Sequence, residues 1–155
     1  MDIESRNIIE KYLVKTDFRI IDFVIKGDSR KKIYEIYVDC KNELVIDDLA
    51  RLNREIWDLL ESKNMTNGLS NISVSSPGVD KPFKYIWQLY KHKGRTFDIK
   101  FHNGNFFNGI LEEVIESDEN LLKFKIFKKG KDSLVIDELV KFKDIDVLKV
   151  KLKFK

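Results

Sequence analysis

This chain of 155 residues holds one cysteine, two histidines and two prolines. Cys40 alone excludes an internal disulfide, and with only His92 and His102 beside it a Cys/His zinc site is hard to assemble. A thiol next to Asp39 lacks the electropositive surroundings that activate cysteine. No Walker A loop, G-x-G-x-x-G, H-E-x-x-H or G-x-S-x-G occurs. Neither histidine suits a general base, since His102 flanks a predicted hairpin turn and His92 precedes Lys93-Gly94 at a helix end, where a cation suits the dipole. These absences point away from an enzyme, and no cofactor is expected. No apolar run approaches the roughly 18 residues of a membrane helix. The start, Met1-Asp2-Ile3-Glu4, is acidic and carries no apolar leader core. A cytoplasmic protein, monomeric and off the membrane, is expected.

What the chain has is apolar content for real cores: 43% hydrophobic, 12% aromatic, with 35% charge for a soluble surface. The net charge of +3 is unevenly spread. Residues 1–77 hold 12 Lys and Arg against 14 Asp and Glu, while residues 78–155 hold 17 against 12. An acidic half and a basic half suit different partners.

Periodicity gives the elements. Ile8, Ile9, Tyr12 and Leu13 recur at helical spacing, predicting a helix over 5–14. Residues 18–26 and 33–39 read as strands joined by a turn at Gly27-Asp28-Ser29. Leu49, Leu52, Ile56, Leu59 and Leu60 form one helical stripe, which Asp47 or Asp48 is expected to cap. After Asn67-Gly68, Ile72 and Val74 open a third strand. The order α-β-β-α-β predicts a two-layer α+β unit with helices on one sheet face.

The second half differs. Residues 83–91 can form a short helix carrying Tyr85, Ile86, Trp87, Leu89 and Tyr90. Phe97, Ile99 and Phe101 then alternate with polar residues. Asn103-Gly104 predicts a two-residue type I′ hairpin, with φ > 0 at both positions. Gly109 in mid-strand suggests a bulge or sharp bend. Turns are expected at 118–120 and 130–132, with Leu122, Phe124 and Ile126 alternating between them. A last strand alternates Val150, Leu152 and Phe154 with lysines. About five short strands and one strong bend predict a small β-barrel.

Both prolines lie in Ser75-Ser76-Pro77-Gly78-Val79-Asp80-Lys81-Pro82-Phe83. Each fixes its own φ and drives the preceding residue to extended geometry, and Gly78 suits the positive φ of a type II turn. A stiff hinge is expected there. This string resembles the domain junction of the bacterial ribosome maturation factor RimP family. The resemblance continues through Ile36-Tyr37-Val38-Asp39 with Val45-Ile46-Asp47-Asp48-Leu49 upstream, and through Gly94 with Phe107-Asn108-Gly109-Ile110-Leu111 downstream. It implies an α+β protein of two domains: residues 1–77 as a type II KH-like domain, 78–83 as the hinge, and 84–155 as an SH3-like or Sm-like barrel. It also implies a non-catalytic factor in small ribosomal subunit maturation. The implied partners are the immature small subunit and a basic ribosomal protein near the decoding centre; the basic second half is expected to lie against ribosomal RNA or to grip that same protein. Lys81 stands where the family usually has arginine, and Ser73 where glutamate is common.

The candidate partner-binding residues are Asp39, Asp47, Asp48, Ser75, Ser76, Asp80 and Lys81. The acids attract a basic partner, although Asp47-Asp48 equally serves the predicted helix start. Pro77, Gly78 and Pro82 set hinge geometry. Lys149, Lys151 and Lys153 project from one side of the last strand, with Lys123 and Lys125 nearby. They face RNA phosphates, or they guard a sheet edge against aggregation. The second reading of the whole chain is a free-standing RNA-binding regulator with KH-like and Sm-like domains. Against it stands the absence of any G-x-x-G, the backbone clamp of a KH domain.

Overall fold

The computed structural model describes residues 2–78, 81–128 and 134–151. By internal packing the chain divides into two units, Met1–Gly78 and Val79–Lys155. The expected turn at 130–132 and the expected strand positions Leu152 and Phe154 lie outside the described residues.

The first unit runs α1 (Asp2–Leu13), β1 (Arg19–Asp28), β2 (Lys31–Asp39), α2 (Ile46–Ser62) and β3 (Leu69–Ser75). This is the α-β-β-α-β order read from the periodicity. The sheet order is β1-β2-β3. β1 and β2 pair antiparallel through a tight hairpin, where Gly27 has φ +87 and a Cβ would lie 2.0 Å from the Lys31 carbonyl oxygen. Only glycine fits there. β2 and β3 pair in parallel, which no hairpin can connect, so α2 serves as the crossover.

Both helices bury one stripe: Ser5, Ile9 and Leu13 from α1, and Leu52, Ile56 and Leu60 from α2. They pack on the sheet face formed by Tyr34, Ile36, Val38, Ile72 and Val74. The helix α2 ends at Ser62, before the Asn67-Gly68 turn. Asn64 takes φ +57, and the Met65 N–H donates to the Leu60 carbonyl at 2.9 Å. That is a Schellman ending with asparagine in the place usually held by glycine.

A polar contact fastens α1 to the sheet. The Tyr34 hydroxyl donates to Asp2 Oδ1 at 2.7 Å, and Lys32 Nζ lies 3.2 Å from Asp2 Oδ2. The tyrosine hydrogen bond and then Lys32 hold the Asp2 carboxyl below its ordinary value, against an opposing effect of burial.

The second unit begins with a 3-10 helix (Ile86–His92), shorter and tighter than the helix expected over 83–91. There follow β4 (Thr96–Phe101), β5 (Phe106–Ile115), β6 (Leu121–Lys128), β7 (Leu134–Lys141), a 3-10 turn (Phe142–Asp144) and β8 (Ile145–Val150). The sheet order is β7-β6-β5-β4-β8, with each neighbouring pair antiparallel. The expected closed barrel is not formed among the described residues, because the outermost strands β7 and β8 share no ladder. β7 pairs along its length with β6, and the short turn after it sends the chain to β4 instead. The sheet nevertheless bends. A Cβ on Gly109 would lie 2.9 Å from the Lys125 carbonyl oxygen, and a register shift follows between Leu111 and Glu113. The glycine therefore permits close strand approach, and the irregularity sits two to four residues beyond it.

The β4–β5 connection also departs from expectation. Gly104 has φ +91, but Asn103 is not in the positive-φ region. The Gly104 N–H donates to the Phe101 carbonyl, and the Phe101 N–H donates to the Asn105 carbonyl, both at 2.9 Å. This encloses a three-residue loop, which needs only one left-handed residue.

The core of this unit gathers Leu89, Phe97, Ile99, Leu111, Leu122, Phe124 and Ile126. Phe97 meets Phe124 edge-on at 6.0 Å. Gln88 is buried with them, and its Oε1 accepts the Lys84 and Tyr85 N–H groups, each at 2.8 Å. A side-chain amide thus starts the 3-10 helix.

Two outcomes test these contacts. Replacing Gln88 by Leu should cost about 1–3 kcal/mol by removing the acceptor of two N–H groups, read as a lower urea midpoint. For Asp2, a depressed carboxyl contributes stability above its unfolded pKa and loses it as pH falls through the folded value. The stability deficit of Asp2→Asn should therefore be present at neutral pH and shrink once pH falls below the ordinary aspartate value of about 3.9. Urea unfolding of both proteins across that range checks it; a constant deficit refutes the assignment.

Candidate functional site

Parallel pairing decides which candidate residues share a location. β2 and β3 point the same way, so their carboxyl ends lie together, with Tyr37 opposite Ser75. The loop leaving β2 after Asp39 leads directly to the start of α2. One end of the first unit therefore carries Asp39, Asp47, Asp48 and the chain exit at Ser75-Ser76-Pro77. Sequence order alone puts the exit about 30 positions away from these acids.

They are not equivalent. Asp39 is only 3% exposed, and its Oδ1 accepts the Cys40 N–H at 2.9 Å. This acid is held within the loop, far less accessible than Asp47. Cys40 is buried as well, with Sγ 3.0 Å from the Asn42 carbonyl oxygen. Neither Asp47 nor Asp48 caps α2. The N-cap is Val45, with extended backbone and no side-chain cap bond. The two acids occupy the first turn, where negative charge meets the positive end of the helix dipole. Asp48 lies 3.4 Å from Arg51 across a partly exposed ion pair, and Asp47 is exposed.

The apolar side chains beside these acids escaped the sequence reading. Val45 is 53% exposed and Ile46 81% exposed. A β-branched pair where serine, aspartate or asparagine is favoured was the available signal. The helix start is thus an acidic tip with an uncovered aliphatic pair, suited to a basic segment that also carries apolar side chains.

Ser75 and Ser76 are half-buried, with Ser75 on the sheet face that bears Tyr37 and Glu35 rather than on the helix-covered face. On that face the Tyr37 hydroxyl donates to Glu35 at 3.1 Å, and Lys26 pairs with Glu35 at 3.0 Å. Gly78 takes φ +69. Lys81 is half-buried and engaged, and Pro82 is exposed. Asp80 lies outside the described residues.

The lysines of the second sheet are interleaved with acids. In the ladders Lys123 stands opposite Glu113, Lys125 opposite Asp137, and Lys149 opposite Asp98. Cross-strand partners share a face, so each of these cations has an acid as neighbour. The alternation disfavours a continuous phosphate-binding strip. Lys149 and Lys151 are exposed, and Lys153 lies outside the described residues. Among the described residues, no cluster of three His, Cys, Asp or Glu is placed to hold a metal ion. No described helix is long and apolar enough to cross a membrane.

Residues 8–80 match the family model of the RimP N-terminal domain. The match covers almost all of the first unit, including the α2 tip and the exit through Ser75-Ser76-Pro77.

The uncapped helix start makes a prediction. Val45→Ser supplies the missing acceptor and should raise stability by about 0.5–1 kcal/mol, seen as a higher urea midpoint. No change would show that the Val45 side chain already contributes as much by packing.

Proposed function

We propose, from the match of residues 8–80 to the RimP N-terminal domain, that this chain assists maturation of the small ribosomal subunit. RimP proteins are ribosome maturation factors and act without catalysis. The match over residues 8–80 is the observation that carries this reading.

In this reading the α2 tip binds a basic, partly apolar extension of a small-subunit ribosomal protein near the decoding centre. Asp47 and Asp48 supply the attraction, and Val45 and Ile46 supply apolar area. Ser75 and Ser76 are proposed to extend the contact at this end of the first unit, and Asp80 and Lys81 are proposed as further partner-binding residues. Pro77, Gly78 and Pro82 restrict the backbone on which those residues are carried. The uneven charge of the two halves supports separate partners for each. Complementary charge chiefly raises the association rate, whereas the apolar pair slows dissociation. A cytoplasmic protein that meets immature particles transiently follows from this role.

The test is co-migration on a sucrose gradient with immature small subunits, mature small subunits or free ribosomal RNA. The expected result is preference for immature particles, weakened at least about tenfold by Asp47→Lys with Asp48→Lys, equivalent to about 1.4 kcal/mol. Equal migration with every RNA would favour the free-standing RNA-binding regulator instead. Undiminished binding by the double reversal would remove the tip from the mechanism.

A further inference from the structure

Residues 81–97 contain Lys81, Lys84, Lys91, Lys93 and Arg95 and no acid, with Phe83, Tyr85, Trp87 and Tyr90 among them. The helix inside this stretch is 3-10, so side chains three apart lie above one another. That period sorts the segment. Ile86 and Leu89 are buried against Phe97 and the second core, whereas Trp87 and Tyr90 share another face and stay partly exposed. Lys84 and Lys93 flank the helix at its two ends.

The rings form a surface platform. Tyr85, 39% exposed, stacks on Trp87 with centroids 5.6 Å apart and planes 9° from parallel. Lys84 Nζ lies 5.6 Å from the Tyr85 centroid and Lys93 Nζ 5.7 Å from the Tyr90 centroid. Glu116 approaches the Tyr90 hydroxyl and marks an acidic border at that side. A stacked, partly exposed ring pair with Lys84 over Tyr85, and Lys93 over the neighbouring Tyr90, offers the two groups an unpaired nucleotide strand needs: aromatic rings that bases can stack on once Lys84 turns to a phosphate, and cations for the phosphates.

We infer that the stretch from Lys84 to Arg95 binds single-stranded RNA by stacking bases on Tyr85 and Trp87 while Lys84, Lys93 and Arg95 meet the phosphates. The setting of this contact rests on the ribosome-maturation reading, and it deepens that reading by giving the second unit an RNA-facing surface. The outer face of the second sheet also exposes Phe106 and Phe127, but its lysines at 123, 125 and 149 stand opposite acids. An acidic peptide would use the cations and leave the flat ring faces without a function.

Fluorescence anisotropy with a labelled single-stranded oligouridylate, the same-length RNA duplex and polyglutamate tests the assignment on the full chain. Single strand should bind at least about tenfold tighter than duplex or polyglutamate. Tyr85→Ala should weaken it by about 5- to 100-fold, as loss of one stacked base does. Trp87→Phe keeps a ring and should bind close to the parent protein. Lys93→Gln should lower the slope of log affinity against log salt by about 0.7. Far-UV circular dichroism and urea midpoints confirm that each variant is folded. Equal affinity for duplex or polyglutamate, or unchanged affinity in folded Tyr85→Ala, overturns the inference. Because the probe is naked RNA, that failure leaves the sucrose-gradient result standing, and failure of particle binding leaves the RNA result standing.

Discussion

The parallel pairing of β2 with β3 is the constraint on which the first unit depends. A parallel pair cannot be closed by a hairpin, so the chain must travel the length of the sheet before returning. The 17-residue helix α2 makes that journey and buries Leu52, Ile56 and Leu60 as it does so. The same geometry sets the carboxyl ends of β2 and β3 side by side, next to the start of α2. An acidic helix tip and the chain exit through Ser75-Ser76-Pro77 are neighbours for this reason alone.

Around that constraint the polar side chains divide between holding the fold and facing solvent. Asp2 is spent on Tyr34 and Lys32. Asp39 is spent on its own loop. Asp47 remains at the surface with Val45 and Ile46, where it costs the fold nothing and even gains from the helix dipole. An N-cap left without a side-chain acceptor is a small sacrifice of stability, on the order of 1 kcal/mol. It is explicable if the aliphatic pair is needed for contact with a partner.

The second unit reaches its surface chemistry by another route. Its strands alternate cations with acids across the ladders, so the sheet presents mixed charge rather than a basic field. Single-sign charge and stacked rings occur together in the 3-10 helix and the residues flanking it, before the sheet. There Gln88 is buried to start the helix, Ile86 and Leu89 join the core, and the intervening aromatic residues are turned outward by the three-residue period. A buried amide and a tight helix thus decide what the surface offers.

Much of this was legible in the sequence. The stripes of α1 and α2, the alternation of Leu122, Phe124 and Ile126, and the acidic-to-basic shift between halves all follow from local spacing and composition. The RimP resemblance rested on ordered motifs and agrees with the match over residues 8–80. What local pattern could not reveal depended on neighbours distant in the chain. Carboxylate charge says nothing of burial, so Asp39 and Asp47 looked alike. Asn103-Gly104 permits a two-residue turn, but the register of β4 against β5 selected three residues. Alternating strands fit an open or a closed sheet equally well, and the pairing of β8 with β4 left the described sheet open. Apolar periodicity and charge balance are properties of the chain itself; exposure, register and closure are settled only when separate segments compete for the same space and the same hydrogen bonds.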